Sequence, residues 1–242
     1  MNHDQNNKKI RVAVVGDIHI HEMPMIDEKN FFLKISEDAD ILILCGDITN
    51  SGIVPEAEQL SNYLQMCKIP VVAVLGNHDY HHDNQHAIKK ALTPHVIFLE
   101  DQTYTIGALT IIGTKGFGGG FDNHMLSSFG EGATKAFVTE AVNESLKLEN
   151  DLRSCTTKKI IVALHYSPIV ETVTGEPPEI FPFLGCSRLA DVIDRFPVTM
   201  VVHGHAHRGK HAGTTNKGIP VYNCAQEVLR TTHNTLYKIF TI

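Results

Sequence analysis

Five short polar motifs stand at the ends of apolar runs in this chain: "GDIH" (Asp17, His19), "GDITN" (Asp47), "GNHDY" (Asn77, His78, Asp79), "HYSP" (His165) and "HGHAH" (His203, His205, His207). Their side chains are imidazoles, carboxylates and a carboxamide, the donors that hold transition metals through nitrogen and oxygen. Each motif alone says little, because Asp after Gly serves many turns and a lone histidine is commonly a hydrogen-bonded structural residue. In the last motif the histidines fall at every second position, so an extended chain would point all three the same way.

Together the motifs argue more strongly. Five successive strand ends finishing in polar side chains have no packing explanation, since each buried polar group left unpaired costs about 1–3 kcal/mol. A metal is the simplest compensation. The candidate donors Asp17, His19, Asp47, Asn77, His165, His205 and His207 exceed the about three or four protein ligands of a single catalytic ion. They suit two ions if one carboxylate bridges, and a sulfur-free, nitrogen-rich set fits divalent or trivalent manganese, iron or zinc better than magnesium or calcium. Two such ions about 3.5–4 Å apart would clamp the attacking and leaving oxygens of a phosphoryl displacement and acidify a shared water. The expected chemistry is therefore hydrolysis of a phosphate ester.

The elements that must carry these residues are legible as patterns. "IRVAVV", "DILIL", "PVVAVL", "KIIVAL" and "PVTMVV" are short, rich in Val, Ile and Leu, and bounded by turn residues, as buried strands are. Helical patterns lie among them: "EKNFFLKISED", "PEAEQLSNYLQMC" with Pro55 placed for a first turn, "CSRLADVIDRF", and a long amphipathic stretch from Thr134 to Arg153. Strand and helix in alternation predict a mostly parallel sheet whose carboxyl edge gathers the motifs. "TYTIGALTIIGT" reads as two short strands about Gly107, and "IPVYNCAQEVLRTTHNTLYKIFTI" as a further strand pair. These add antiparallel strands and suggest a second sheet.

Composition narrows the classes. With 242 residues and 43% hydrophobic content the chain can form one large core, so a single domain over residues 10–242 is expected after a polar, disordered tail over residues 1–9. No run approaches the about 20 apolar residues of a membrane span. The polar start "MNHDQNNKK" lacks a leader pattern, and a cytoplasmic address is expected. Five scattered cysteines without a CxxC pair are expected to be reduced thiols. A net charge of −6 with no basic run excludes a broad nucleic-acid surface; the expected partner is a small phosphate ester, a nucleotide being one form.

The series D-x-H, G-D, G-N-H-D, H and G-H-x-H, present as "GDIH", "GDITN", "GNHDY", "LHYSP" and "GHAH" between Ile10 and His207, resembles the calcineurin-like metallophosphoesterases. That resemblance implies an α/β fold of the α+β type, a four-layer αββα sandwich of two mixed β-sheets flanked by helices. It also implies that Asp17, His19 and His207 hold one metal, that Asn77, His165 and His205 hold the other, and that Asp47 bridges. A metal-bridging hydroxide would attack phosphorus, and His78 would be the non-ligand histidine that protonates the leaving group or stabilises the transition state. The leucine before Gly76 and the acid Asp79 differ from the G-N-H-E with preceding arginine of the protein-phosphatase branch, which points away from phosphoproteins. Phosphodiesters, cyclic nucleotides and small phosphomonoesters stay open.

Other residues carry weaker expectations. Asp79 is a candidate to orient His78 through a hydrogen bond. His203 has no place in the ligand set and is expected to be structural. His21, Tyr80, His81 and His82 read as loop residues, and Arg208 as either a phosphate clamp or a surface residue. "GFGGGFDNH", Gly116 to His124, reads as a mobile loop or lid bringing Phe117, Phe121, Asn123 or His124 near the substrate, and "GEPPE" as a stiff loop bordering the pocket. Two competing readings remain. A scaffold or ligand-binding protein on the same fold would be expected to have lost ligands, whereas the set here is complete; a nucleotide-dependent oxidoreductase would need G-x-G-x-x-G after its first strand, which is missing.

Overall fold

The computed structural model describes residues 9–23 and 28–242. In chain order the first half forms β1 (Arg11–Val15), α1 (Glu28–Asp38), β2 (Ile41–Cys45), α2 (Val54–Leu64), β3 (Val71–Val74), α3 (Gln85–Leu92) and β4 (Val96–Phe98). The remainder forms β5 (Tyr104–Ile106), β6 (Leu109–Thr114), α4 (Gly132–Ser154), β7 (Lys159–Leu164), α5 (Phe181–Leu184), α6 (Ser187–Ile193), β8 (Met200–His203), β9 (Ala212–Thr214), β10 (Pro220–Asn223), α7 (Gln226–His233) and β11 (Lys238–Thr241). The tail expected over residues 1–9 lies, save Lys9, outside the described residues.

The five apolar runs do form strands, divided between two sheets. One has the order β11-β1-β2-β3-β4 and the other β5-β6-β7-β8-β10-β9. Within each sheet the central strands run parallel, and antiparallel partners close the edges at β11, β5 and β9. Alternation along each strand explains the layering, because successive side chains leave opposite faces. Val12, Val14, Ile41, Ile43, Val72 and Val74 face Ile111, Ile161, Ala163 and Val202 between the sheets. The opposite faces are covered by Phe32, Leu60 and Ile88 of α1 to α3 on one side, and by Leu148 of α4 and Leu189 of α6 on the other. Runs apolar at every position are thus buried on both faces, giving the expected four-layer αββα sandwich.

One expectation is corrected by the topology. The C-terminal segment does not form a strand pair: β10 joins β8 in the larger sheet, α7 intervenes, and β11 crosses to pair with β1 in the smaller one. Val228 and Leu229 of α7 are buried, so its apolar residues satisfy a helix rather than a second hairpin strand. The short edge strands β4 and β9 and the helix α3 had not been expected. Among the described residues no helix is long and apolar enough to cross a membrane, and the cysteines are free thiols.

Candidate functional site

The candidate ligands follow the carboxyl ends of β1, β2, β3, β7 and β8, and the face-to-face sheets bring these ends to one edge. Four of them occupy left-handed backbone: Asp17 at φ 58°, His19 at 44°, Asp47 at 48° and His205 at 71°. Such a conformation costs about 1–3 kcal/mol for a residue with a Cβ and persists where surrounding contacts over-determine it. Those contacts are present. The Asp17 amide donates to the Gly46 carbonyl and the His19 amide to the Asp47 carbonyl, both at 3.0 Å, while the His205 amide donates to both Asp17 carboxylate oxygens at 3.0 and 2.9 Å. The strand ends also crowd one another closely. A Cβ at Gly76 would overlap the Asp47 carboxylate, and one at Gly204 would overlap that of Asp17, so these two motif glycines are required by close approach.

Among the described residues the donors fall into three overlapping groups, each with ligand atoms within 4.8 Å of one another: Asp17, His19 and His207 at one end, Asp47, His165 and His205 at the other, and His19, Asp47 and His78 linking them. Asn77 joins the second through its Oδ1, 2.9 Å from His165 Nε2. Asp47 lies between them: its Oδ1 is 3.3 Å from His165 Nε2 and its Oδ2 is 4.0 Å from His19 Nε2. His207 Nε2 is 3.0 Å from Asp17 Oδ1.

Hydrogen bonds fix which imidazole nitrogens remain available. A carbonyl only accepts, so a ring nitrogen bonded to one carries the hydrogen and leaves the other with a lone pair. His165 Nδ1 donates to the Cys45 carbonyl at 2.9 Å, and His205 Nε2 to the Phe183 carbonyl at 3.1 Å. With the hydrogen on the nitrogen facing the backbone carbonyl, the lone-pair nitrogens are Nδ1 of His205 and Nε2 of His165, the latter converging on the oxygens Asn77 Oδ1 at 2.9 Å and Asp47 Oδ1 at 3.3 Å as ligands of one ion would. His78 Nδ1 donates to the Asn50 carbonyl at 2.6 Å, which leaves Nε2 free, 3.9 Å from Asp47 Oδ2. His203 differs. Its Nδ1 donates to the Gly204 carbonyl at 2.7 Å and its Nε2 accepts from the Thr172 hydroxyl at 2.8 Å, so it keeps no lone pair for an ion.

These groups fit metal ions. His19 Nδ1 is buried without a hydrogen-bond partner, a cost of about 1–3 kcal/mol that a bound group could offset. Burial lowers His19 to about 4 and lowers His165 and His205 as well, keeping them in the neutral form that binds metals. His207 is raised by its bond to Asp17. Burial is the largest influence on Asp17 and opposes ionisation, but His207, His165 and the His205 amide hold it at about 2. Asp47 is raised by burial and by Asp17 and Asp79, so a nearby cation would be needed to favour its carboxylate.

Asp79 is where the expectation fails. Its carboxylate is fully buried and accepts from Ile48 N at 3.3 Å, Thr49 N at 2.9 Å, Thr49 Oγ1 at 2.6 Å and Gly76 N at 2.8 Å. The short 3₁₀ turn at His78–Tyr80 sends it inward, where it ties the loop after β2 to the loop after β3. The Asn50 carbonyl, not Asp79, orients His78. No sequence signal marks that partner, since any residue offers a carbonyl.

The glycine-rich segment is packed rather than standing open over the site. Gly119 N donates to the Pro182 carbonyl at 2.6 Å and Gly120 N to the Gly185 carbonyl at 2.9 Å, and Phe121 is buried with Leu184 and Ala206. Of its residues, Phe117 and Gly118 line a pocket of about 370 Å³ beside the site, whereas Asn123 and His124 are not buried. The other walls include Asn77, Phe137, Tyr166, Phe183 and His205. His21, His81, His82 and Arg208 are exposed. In the "GEPPE" loop, Glu176 accepts from the Arg208 amide at 2.7 Å. Lys115 had not been expected: it is buried, with its ammonium 4.7 Å from the Phe117 ring centre and 5.5 Å from those of Tyr80 and Tyr166.

Comparison with known proteins supplies an independent line. The family model described as calcineurin-like phosphoesterase matches residues 10–209. A protein of Ruthia magnifica named "Probable cyclic nucleotide phosphodiesterase" is 25% identical over 83% of this chain and 75% of its own length. A 3',5'-cyclic-nucleotide phosphodiesterase of Nostoc is 23% identical over 82% of this chain and 72% of its own length. Among solved structures, the phosphopantetheinyl hydrolase of Mycobacterium tuberculosis superposes with a TM-score of 0.70 at 14% identity, covering 96% of both chains. That last likeness is one of fold.

Proposed function

The chain belongs to the calcineurin-like phosphoesterases, a family of metal-dependent hydrolases, and from that premise we propose that it hydrolyses a small phosphodiester at a centre of two metal ions. The observation that carries the reading is the pair of ligand clusters meeting at Asp47, whose two carboxylate oxygens face different histidines. Asp17, His19 and His207 would hold one ion, Asn77, His165 and His205 the other, with Asp47 between them. The diester preference draws support from the relatives named as cyclic nucleotide phosphodiesterases. Bound ions would acidify a water and withdraw charge from the phosphoryl oxygens.

The chain's own residues do the rest. Asp17 holds the loop of His205 through its amide, so the loops after β1 and β8 keep a fixed spacing. The Cys45 and Phe183 carbonyls lock the His165 and His205 rings with their lone pairs toward the cluster. When the P–O bond breaks, the departing oxygen needs a proton. His78, with Nδ1–H committed to the Asn50 carbonyl, turns Nε2 to the site; in its imidazolium form it would carry the proton there, release it to the departing oxygen and return to the neutral ring, and a positioned acid of this kind contributes about 10²–10⁴-fold.

The test combines metal analysis with turnover. Purified protein should bind two transition-metal ions per chain, hydrolyse bis(p-nitrophenyl) phosphate faster than p-nitrophenyl phosphate, and lose both metal and activity to a chelator, with recovery on adding manganese. Full activity after complete removal of metal would refute the centre, and a monoester preference would refute the diester assignment.

A further inference from the structure

Asn77 and His205 face both the ligand clusters and the pocket of about 370 Å³. A phosphate ester held at the clusters therefore places one of its organic groups against that pocket. Ligand pockets run from about 300 to 1,000 Å³, so this one suits a compact ring system rather than a long chain or a polymer.

The chemistry of the walls narrows the occupant. Phe117 and Phe137 pack with ring centres 4.8 Å apart, Phe117 and Tyr166 at 5.7 Å, and Phe137 and Phe183 at 5.9 Å. No lining residue is Asp, Glu, Lys or Arg, so a charged substituent would lose its hydration without gaining a partner. A polyol would likewise leave hydroxyls unpaired against carbon. A flat ring instead stacks on aromatic walls, while the Asn77 amide and the Tyr166 hydroxyl offer polar contacts at its edge. Lys115 packs against Phe117 and Tyr166 and stiffens that wall.

We propose that this pocket is the subsite for the organic group of the ester, that it selects a flat, uncharged aromatic or heteroaromatic ring, and that Phe183 is a specificity-determining residue. The proposal rests on the phosphoesterase reading for the place of the phosphate. Phe183 suits a test because its side chain is 58% exposed, so truncation is compatible with folding, and because its backbone carbonyl, which fixes His205, survives substitution.

The manganese-loaded enzyme is assayed on two cyclic diesters with the same reacting bonds, adenosine 3',5'-cyclic phosphate and its abasic ribose 3',5'-cyclic analogue. The wild type should favour the base-bearing ester in kcat/KM. Phe183→Ala should reduce that preference about tenfold, within the range of one base–aromatic stacking contact, and Phe183→Tyr should retain it. A second readout is ligand-observed NMR of adenosine with metal-free protein, in which wild type binds, Phe183→Ala binds more weakly, and glycerol gives no signal. Equal kcat/KM for the two esters in wild type, or an unchanged preference in Phe183→Ala, overturns the proposal. If no ester is hydrolysed yet adenosine binds in the Phe183-dependent way, the subsite stands and the phosphoesterase reading falls. If esters are hydrolysed without preference and adenosine does not bind, the reverse holds.

Discussion

Asp79→Asn separates the two roles that could be given to this residue. In the structure Asp79 braces loops: its carboxylate receives three backbone amides and one hydroxyl, all of them buried. An asparagine of the same shape keeps one oxygen and presents an NH₂ where the other oxygen was. Placed toward Thr49, the NH₂ lets the threonine hydroxyl rotate to accept, but the Thr49 amide then faces a donor. One buried donor left unsatisfied costs about 1–3 kcal/mol, and the bonds that remain lose the strengthening that an ionised acceptor gives. A loss of about 3 kcal/mol is expected, which for a domain of about 150–250 residues lowers the melting temperature by roughly 6–12 °C. The assay is thermal and urea denaturation in the presence of chelator, so that differences in metal affinity do not enter the comparison. An unchanged midpoint would refute the brace. A fall in kcat with stability intact would point back to an orienting role for His78.

Three further substitutions test the site. Asp47→Asn should lower metal content and remove turnover, measured by elemental analysis and diester hydrolysis; retention of both ions with full activity contradicts the bridge. His78→Ala should lower kcat by about 10²–10⁴-fold while metal content holds, and loss of metal instead would make His78 a ligand. His203→Ala should leave metal content unchanged yet destabilise the fold by about 1–3 kcal/mol, because the buried Thr172 hydroxyl and Gly204 carbonyl lose a partner; a drop in bound metal at constant stability contradicts that.

Much of the frame is visible in the sequence because burial on both faces demands runs apolar at every position, and "DILIL" and "KIIVAL" satisfy that demand. The helix over "EKNFFLKISED" is found where its pattern places it. Periodicity does not say which sheet a strand joins, so the division of the five strands and the crossing of β11 to β1 are seen only in the fold. The same limit applies to the site. Donor side chains announce themselves by type, and the clusters of Asp17 and Asp47 gather residues that the motifs single out. The groups that aim them do not: the carbonyls of Cys45, Asn50 and Phe183 are anonymous in sequence. Gly116 to His124 misleads because glycine signals freedom, whereas Gly118 and Gly119 here allow close packing against the segment from Pro182 to Cys186.

The crossing of β11 bears on the order in which the molecule can be made. β1, which leads into Asp17, has β11 as one of its two neighbours, and Asp17 meets the His205 amide across 188 positions and His207 across 190. A growing polypeptide therefore has the first ligand early but cannot finish its surroundings until almost the whole sequence has emerged. Loops this long slow folding, and the unpaired edge of β1 is open to foreign strands during synthesis. Metal capture thus becomes a late event in biogenesis, and a translation product that stops before β8 would carry Asp17, His19, Asp47, Asn77 and His165 but lack His207 and His205, the last member of each cluster.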